Sequence, residues 1–180
     1  MNGPAPGARC KALLAVIAGA AAVGPMLTGC QGTGSRSGIA PIGTVEVLQP
    51  VTIPANRARA TFQDGKPVDG GEPYNLYCEL EISTVSAQAP LVEKDLFAVT
   101  RTGSAFISDA DSRLPISGPF VEVNCGDLIF YEVDYRIASD LQPGVRKIRC
   151  LQGFNACEGG VANPDRESIA AALGPTFLLR

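Results

Sequence analysis

Two groups of residues in this chain have the types and spacing for chemistry. One is a cysteine behind small residues, Leu27-Thr28-Gly29-Cys30, whose thiol can form a thioether. The other is Glu132 and Asp134, two residues apart in a strand-like run and therefore on one face. Paired carboxylates can act as the acid and base of glycoside hydrolysis. There is no histidine, which excludes Ser-His-Asp and Cys-His catalysis and removes the commonest metal ligand and pH switch. Asp109-Ala110-Asp111-Ser112-Arg113 starts like a calcium loop. However, Arg113 stands where an oxygen ligand is needed, Leu114 where the turn needs glycine and Phe120 where Glu belongs. It reads as a solvated turn, and no catalytic residue, cofactor or metal is assigned.

Cys30 gains meaning from what precedes it. Arg9 and Lys11 give a basic start with no acid, and an apolar run from Ala12 to Val23 follows. That run is too short and too rich in Gly and Ala to be a good spanning helix of about 20 residues. Leu27, Thr28, Gly29 and Cys30 each match the lipobox of bacterial lipoproteins, which implies cleavage before Cys30 and acylation of its thiol. Cys10 is then discarded with the leader. Two or more acyl chains hold a protein firmly at a membrane, where one holds it marginally. By resemblance to enterobacterial sorting rules, Gln31 in place of Asp favours the outer membrane, facing the periplasm.

The expected organisation is a signal peptide over 1–29, a lipidated cysteine and Gly/Ser-rich tether over 30–43, and one domain over 44–180. The tether glycines do not fit a phosphate-binding GxGxxG, and no strand precedes them. Removing Arg9 and Lys11 leaves 13 bases against 18 acids, a mature net charge of −5. There is no basic stripe, so nucleic acid is not expected as a partner.

Four cysteines remain for the domain: Cys78, Cys125, Cys150 and Cys157. An even number in an exported chain reads as disulfides. Zinc would want close CxxC pairs, and the closest spacing leaves six residues between Cys150 and Cys157.

The elements that position these residues are short strands. Ile129, Tyr131, Val133, Tyr135 and Ile137 alternate with Glu132, Asp134 and Arg136. Cys78, Leu80 and Ile82 alternate with Glu79 and Glu81, and Ala58, Ala60 and Phe62 with Arg57, Arg59 and Thr61. Val45 and Val47 flank Glu46 in the same way. Such patterns predict antiparallel strands with one face on a core. Weaker candidates are 96–101, 105–108, 120–124 and 145–151. Asp64-Gly65 predicts a turn. Asn163 reads as a helix N-cap with Pro164 at the first position, Ile169 and Leu173 share a face, and Gly174-Pro175 stops the helix. Residues 176–179 suit a last strand. The fold expected is mainly β, an antiparallel sandwich or barrel-like sheet with one short C-terminal helix.

Parity narrows the three connectivities. Cys78 shares a face with Leu80, and Cys150 with Ile148, while Arg149 points the other way. Both cysteines therefore point into one core and are paired. Cys125 and Cys157 are left for each other. Arg57 and Arg59 are expected to face Glu79 and Glu81 across strands. Arg146, Lys147 and Arg149 form a basic cluster, read as a solvated strand face. Tyr74 and Tyr77, beside Pro73, are read as core packing rather than a binding groove.

Ile53-Pro54-Ala55, Arg57-Ala58-Arg59-Ala60, Phe62-Gln63-Asp64-Gly65, and Tyr74 with Tyr77-Cys78-Glu79 together resemble a group of uncharacterised proteobacterial lipoproteins. Phe97 to Arg101, Pro143 to Cys150, and the Ile169-Ala170-Ala171-Ala172-Leu173-Gly174 run extend the resemblance over most of the mature domain. It implies a Cys78–Cys150 disulfide, in agreement with parity, and makes Cys125 and Cys157 additions to the family pattern. The family has no assigned activity. The function expected is a non-enzymatic envelope lipoprotein, held to the membrane through Cys30, that binds a protein or envelope polymer. The alternative is a histidine-free, carboxylate-based envelope hydrolase.

Overall fold

The computed structural model describes residues 42–108, 125–155, 157 and 163–180. Cys30, the expected leader, the expected tether up to residue 41, the turn read at Asp109–Arg113 and the strand expected at 120–124 lie outside the described residues.

In chain order the elements are β1 (Thr44–Val47), β2 (Val51–Thr52), β3 (Arg59–Gln63), β4 (Lys66–Val68), β5 (Tyr77–Ile82), β6 (Leu91–Val92), β7 (Asp95–Ile107), β8 (Leu128–Ala138), β9 (Val145–Asn155), α1 (Arg166–Leu173) and β10 (Phe177–Leu179). Eight strands form one sheet in the order β10-β1-β7-β8-β9-β5-β3-β4, with every neighbouring pair antiparallel, and β2 pairs with β6 separately. The fold is thus mainly β with one short C-terminal helix, built as a single curled sheet.

The alternation in the sequence decides which face meets the core. Tyr131, Val133, Tyr135 and Ile137 of β8 are buried with Ile148 and Cys150 of β9, Cys78 and Leu80 of β5, and Val45 and Phe97. The curl brings the two ends of the strand order together. Phe62 of β3 and Phe177 of β10 meet edge to face at 5.0 Å between centroids. Helix α1 packs against β3, β5 and β10, burying Ile169, Ala172 and Leu173. The gap between the sheet's ends is therefore closed by a helix.

Local chemistry explains the joints. Asp64 and Gly65 both have positive φ, 51° and 76°, giving the two-residue turn that matches strand twist. Gly65 N–H donates to Ala172 O, and a Cβ on Gly174, itself at φ 70°, would strike the Gly65 backbone. The hairpin tip thus docks on the helix end because neither position carries a side chain.

The helix starts two residues later than expected. Its N-cap is Asp165, whose carboxylate accepts the Ser168 N–H at 2.8 Å, whereas Asn163 and Pro164 precede it. An extended backbone at Asp165 aims the carboxylate at the third helical amide, which is what capping requires. The candidates at 96–101 and 105–108 are parts of one long strand, β7. A bulge at Thr100 joins them, where the register skips from Val99↔Ile137 to Arg101↔Arg136. Among the described residues, no helix is long and apolar enough to cross a membrane.

Candidate functional site

The face of the sheet opposite the core carries the chain's densest polar chemistry. Antiparallel pairing lays it out in rows. Arg101, Arg136, Lys147, Glu81 and Arg59 stand opposite one another on β7, β8, β9, β5 and β3. The next row holds Gly103, Asp134, Arg149, Glu79 and Thr61, and the third Ala105, Glu132, Leu151, Tyr77 and Gln63. Ile107 and Phe130 begin the fourth, and with Tyr77 and Leu151 they form a small second core. The face therefore runs from basic, through mixed, to apolar.

Arg149 is the centre of the mixed zone and is completely buried. Its Nη2 and Nε donate to Glu79 Oε2 at 2.7 and 3.0 Å. Nε lies 3.7 Å from Glu81 Oε1, and Nη1 lies 3.6 Å from Glu132 Oε2. Arg59 reaches Glu79 at 3.4 Å and Lys147 reaches Glu81 at 3.7 Å. Three carboxylates and three cations thus balance in one buried or half-buried network. A buried charge persists only when paired and hydrogen-bonded in this way. Asp134, opposite Arg149 in the register, lies over Gly103 so closely that a Cβ there would come within 2.5 Å of Asp134 Oδ1.

The sequence-derived residues divide as follows. Glu132 and Asp134 do share a face, with Glu132 Oε2 3.6 Å from the Arg149 guanidinium and Asp134 opposite Arg149 in the register. Arg59 meets Glu79, whereas Arg57 pairs with Asp69 at 2.6 Å. The basic run 146–149 is split, which corrects its reading as a solvated face. Arg149 is interior and Lys147 half-buried on Glu81, and only Arg146 is exposed. The strand pleat alone would place 147 and 149 together, but burial under the surrounding carboxylates was not visible in charge counts. Tyr74 is exposed, while Tyr77 is buried in the small second core. Tyr77 also lines a cleft of about 430 Å³ with Arg59, Glu79, Pro73 and Phe130.

The cysteines bracket this network. A disulfide joins Cys78 to Cys150 between directly paired residues of β5 and β9, both fully buried on the core face. A second joins Cys125 to Cys157, both exposed, near one end of the β8–β9 pair. Among the described residues, no group of three or more acids and cysteines is arranged to hold a metal.

A second polar cluster pins the β8–β9 turn. Ser139 Oγ donates to Asp95 Oδ2 at 2.5 Å, and Gln142 Nε2 donates to the same oxygen at 3.1 Å. The Ser139 hydroxyl holds the Asp95 carboxyl below its usual pKa, aided by Gln142 and the Leu96 N–H and opposed by slight burial. In the main core, the Tyr131 and Tyr135 hydroxyls are buried without a hydrogen-bond partner among the described residues. Burial, and then the neighbouring Tyr131, push the Tyr135 phenol up to about 12.

Sequence reasoning missed the central role of Arg149, although a signal for it existed. If Cys78 faces Cys150 across an antiparallel pair, Glu79 must face Arg149 and Glu81 must face Lys147. Compared with protein-family models, curated proteins and solved structures, the chain matches none.

Proposed function

We propose that this chain is a non-enzymatic lipoprotein of the cell envelope, anchored through Cys30 and acting by binding a protein or envelope component at the membrane surface. The lipobox and its leader support the anchor, and Gln31 supports the outer membrane, facing the periplasm. The Arg149 network carries the binding reading. Of the carboxylates nearest to a catalytic pair, Glu132 stands in an ion cluster 3.6 Å from the fully buried Arg149 guanidinium, and Asp134 lies over Gly103. Glu132 thus serves the sheet as a partner of Arg149.

The test has two arms. Growth with radiolabelled palmitate labels the parent chain and leaves Cys30→Ala unlabelled; label that survives the substitution refutes the anchor. A screen against glycosidase, esterase and phosphatase substrates gives no turnover. Turnover that disappears in Glu132→Gln or Asp134→Asn, with folding intact, overturns the binding reading in favour of a carboxylate hydrolase.

A further inference from the structure

We propose that the end of the sheet bearing Arg101, Arg136 and Arg146, with Leu141 at its tip, rests on an anionic phospholipid surface. This inference builds on the anchored reading and names what the anchored domain touches.

Two bulges create the surface. On β7 the register skips Thr100, which brings Arg101 directly opposite Arg136. On β9, Arg146 is the extra residue between Lys147, facing Glu81, and Val145, facing Ile82. Bulges re-aim side chains, and both here turn arginines to one end of the sheet. Like charges directly opposite destabilise a sheet, and among the described residues Arg101, Arg136 and Arg146 have no ion-pair partner. Lys147 adds a fourth cation, half engaged by Glu81. Arg136, Arg146, Lys147 and Ser83 border a cleft of about 340 Å³, together with Glu81, whose carboxylate is engaged by Lys147. The acids at this end are Glu81, which engages Lys147, Asp140, Glu93 beside Gln142, and Asp95, which is held by Ser139 and Gln142. The mature chain is acidic as a whole, yet three arginines without an ion-pair partner among the described residues gather at this end.

Beside the arginines stands exposed apolar surface. Leu141 is 83% exposed and Leu96 54%. The turn does not let Leu141 fold back. Gln142 is bound to Glu93 through both its N–H and C=O and to Asp95, and the Leu141 N–H donates to Ser139 Oγ. An exposed leucine that shares its recess with Arg146 and stands at the same end of the sheet as Arg101 and Arg136 suits a headgroup boundary.

The first strand of the domain begins at the same place. Thr44, where β1 begins, lines one recess with Leu141 and Arg146. The thirteen residues from Gln31 to Gly43 connect Cys30 to it. An acyl anchor at the far end of that segment delivers this end of the sheet to the bilayer, and basic residues near an anionic leaflet then add to the lipid's hold.

The test uses the lipidated full chain reconstituted into vesicles of phosphatidylcholine alone, or of phosphatidylcholine with phosphatidylglycerol. Hydrogen exchange is followed by mass spectrometry. Amides of 139–144 exchange more slowly on the anionic vesicles. High salt removes the protection, as does the Arg136→Ala/Arg146→Ala double variant, although the chain stays vesicle-bound. Equal exchange on both vesicles overturns the proposal. So does protection confined to other segments, or protection of 139–144 produced only by soluble peptidoglycan fragments. The mass of the Cys30 peptide reports acylation separately, so a failed anchor and a failed surface are distinguishable.

Discussion

Replacing Arg149 by Met should be among the most damaging single changes in the described residues. Met has a similar length and no charge, so it fills the space and leaves Glu79, Glu81 and Glu132 facing one another. With an effective dielectric constant of about 20, the attraction across the 2.7 Å contact to Glu79 is roughly 6 kcal/mol. Desolvating a completely buried guanidinium takes back much of this, so the net worth of the network is small. Breaking it from one side is different, because the carboxylates stay where the fold put them. Loss of one partner of a buried pair costs about 3–5 kcal/mol. Urea unfolding of the full chain, followed by circular dichroism with disulfides intact, should show a lower midpoint with an unchanged slope. Removing Glu79 as well, in Arg149→Met/Glu79→Gln, should recover part of the loss, and that non-additivity isolates the pair. Arg146→Met, on an exposed arginine of the same strand, should stay within about 0.5 kcal/mol. The reasoning fails if Arg149→Met costs less than about 1 kcal/mol, or if the Glu79 and Arg149 losses simply add.

Two further outcomes are expected. The Cys78–Cys150 bridge spans 72 residues and the Cys125–Cys157 bridge 32, so the chain-entropy model assigns both roughly 4 kcal/mol. The buried Cys78→Ala should nonetheless cost more than the exposed Cys157→Ala, because it also leaves a core thiol unpaired and a small cavity; equal midpoints in urea would contradict this. The raised Tyr135 phenol has a pH signature. Its folded value, about 12, lies above the ordinary phenol value of 10. The stability it protects is therefore complete below pH 10 and is lost as pH rises toward 12, by about 1.4 kcal/mol per unit. Tyr135→Phe should remove that alkaline slope and, by deleting a buried hydroxyl without a partner, leave neutral-pH stability equal or higher. An unchanged slope would locate the titration elsewhere.

Much of the fold was legible in the residues themselves. The alternation in 129–137 and 78–82 set the strands and their inward faces, because a strand's side-chain period of two cannot be satisfied any other way with one face buried. Asp64-Gly65 announced its turn, since few residue pairs adopt positive φ twice in succession. The inward parity of Cys78 and Cys150 carried their pairing. The charge balance and the residue pattern behind the proposed anchor are properties of linear order and need no fold.

What linear order did not hold was decided by three-dimensional arrangement. Arg149 reads as one more surface base until the β5, β8 and β9 registers place Glu79, Glu81 and Glu132 around it. Burial then follows from neighbours 17 to 70 residues away in the chain. The bulges at Thr100 and Arg146 invert parity locally, so arginines from β7, β8 and β9 gather at one end although no short window shows them as a cluster. The start of α1 depended on where one carboxylate could reach one amide. In each case the deciding quantity is a distance across strands, and only the tertiary structure sets it.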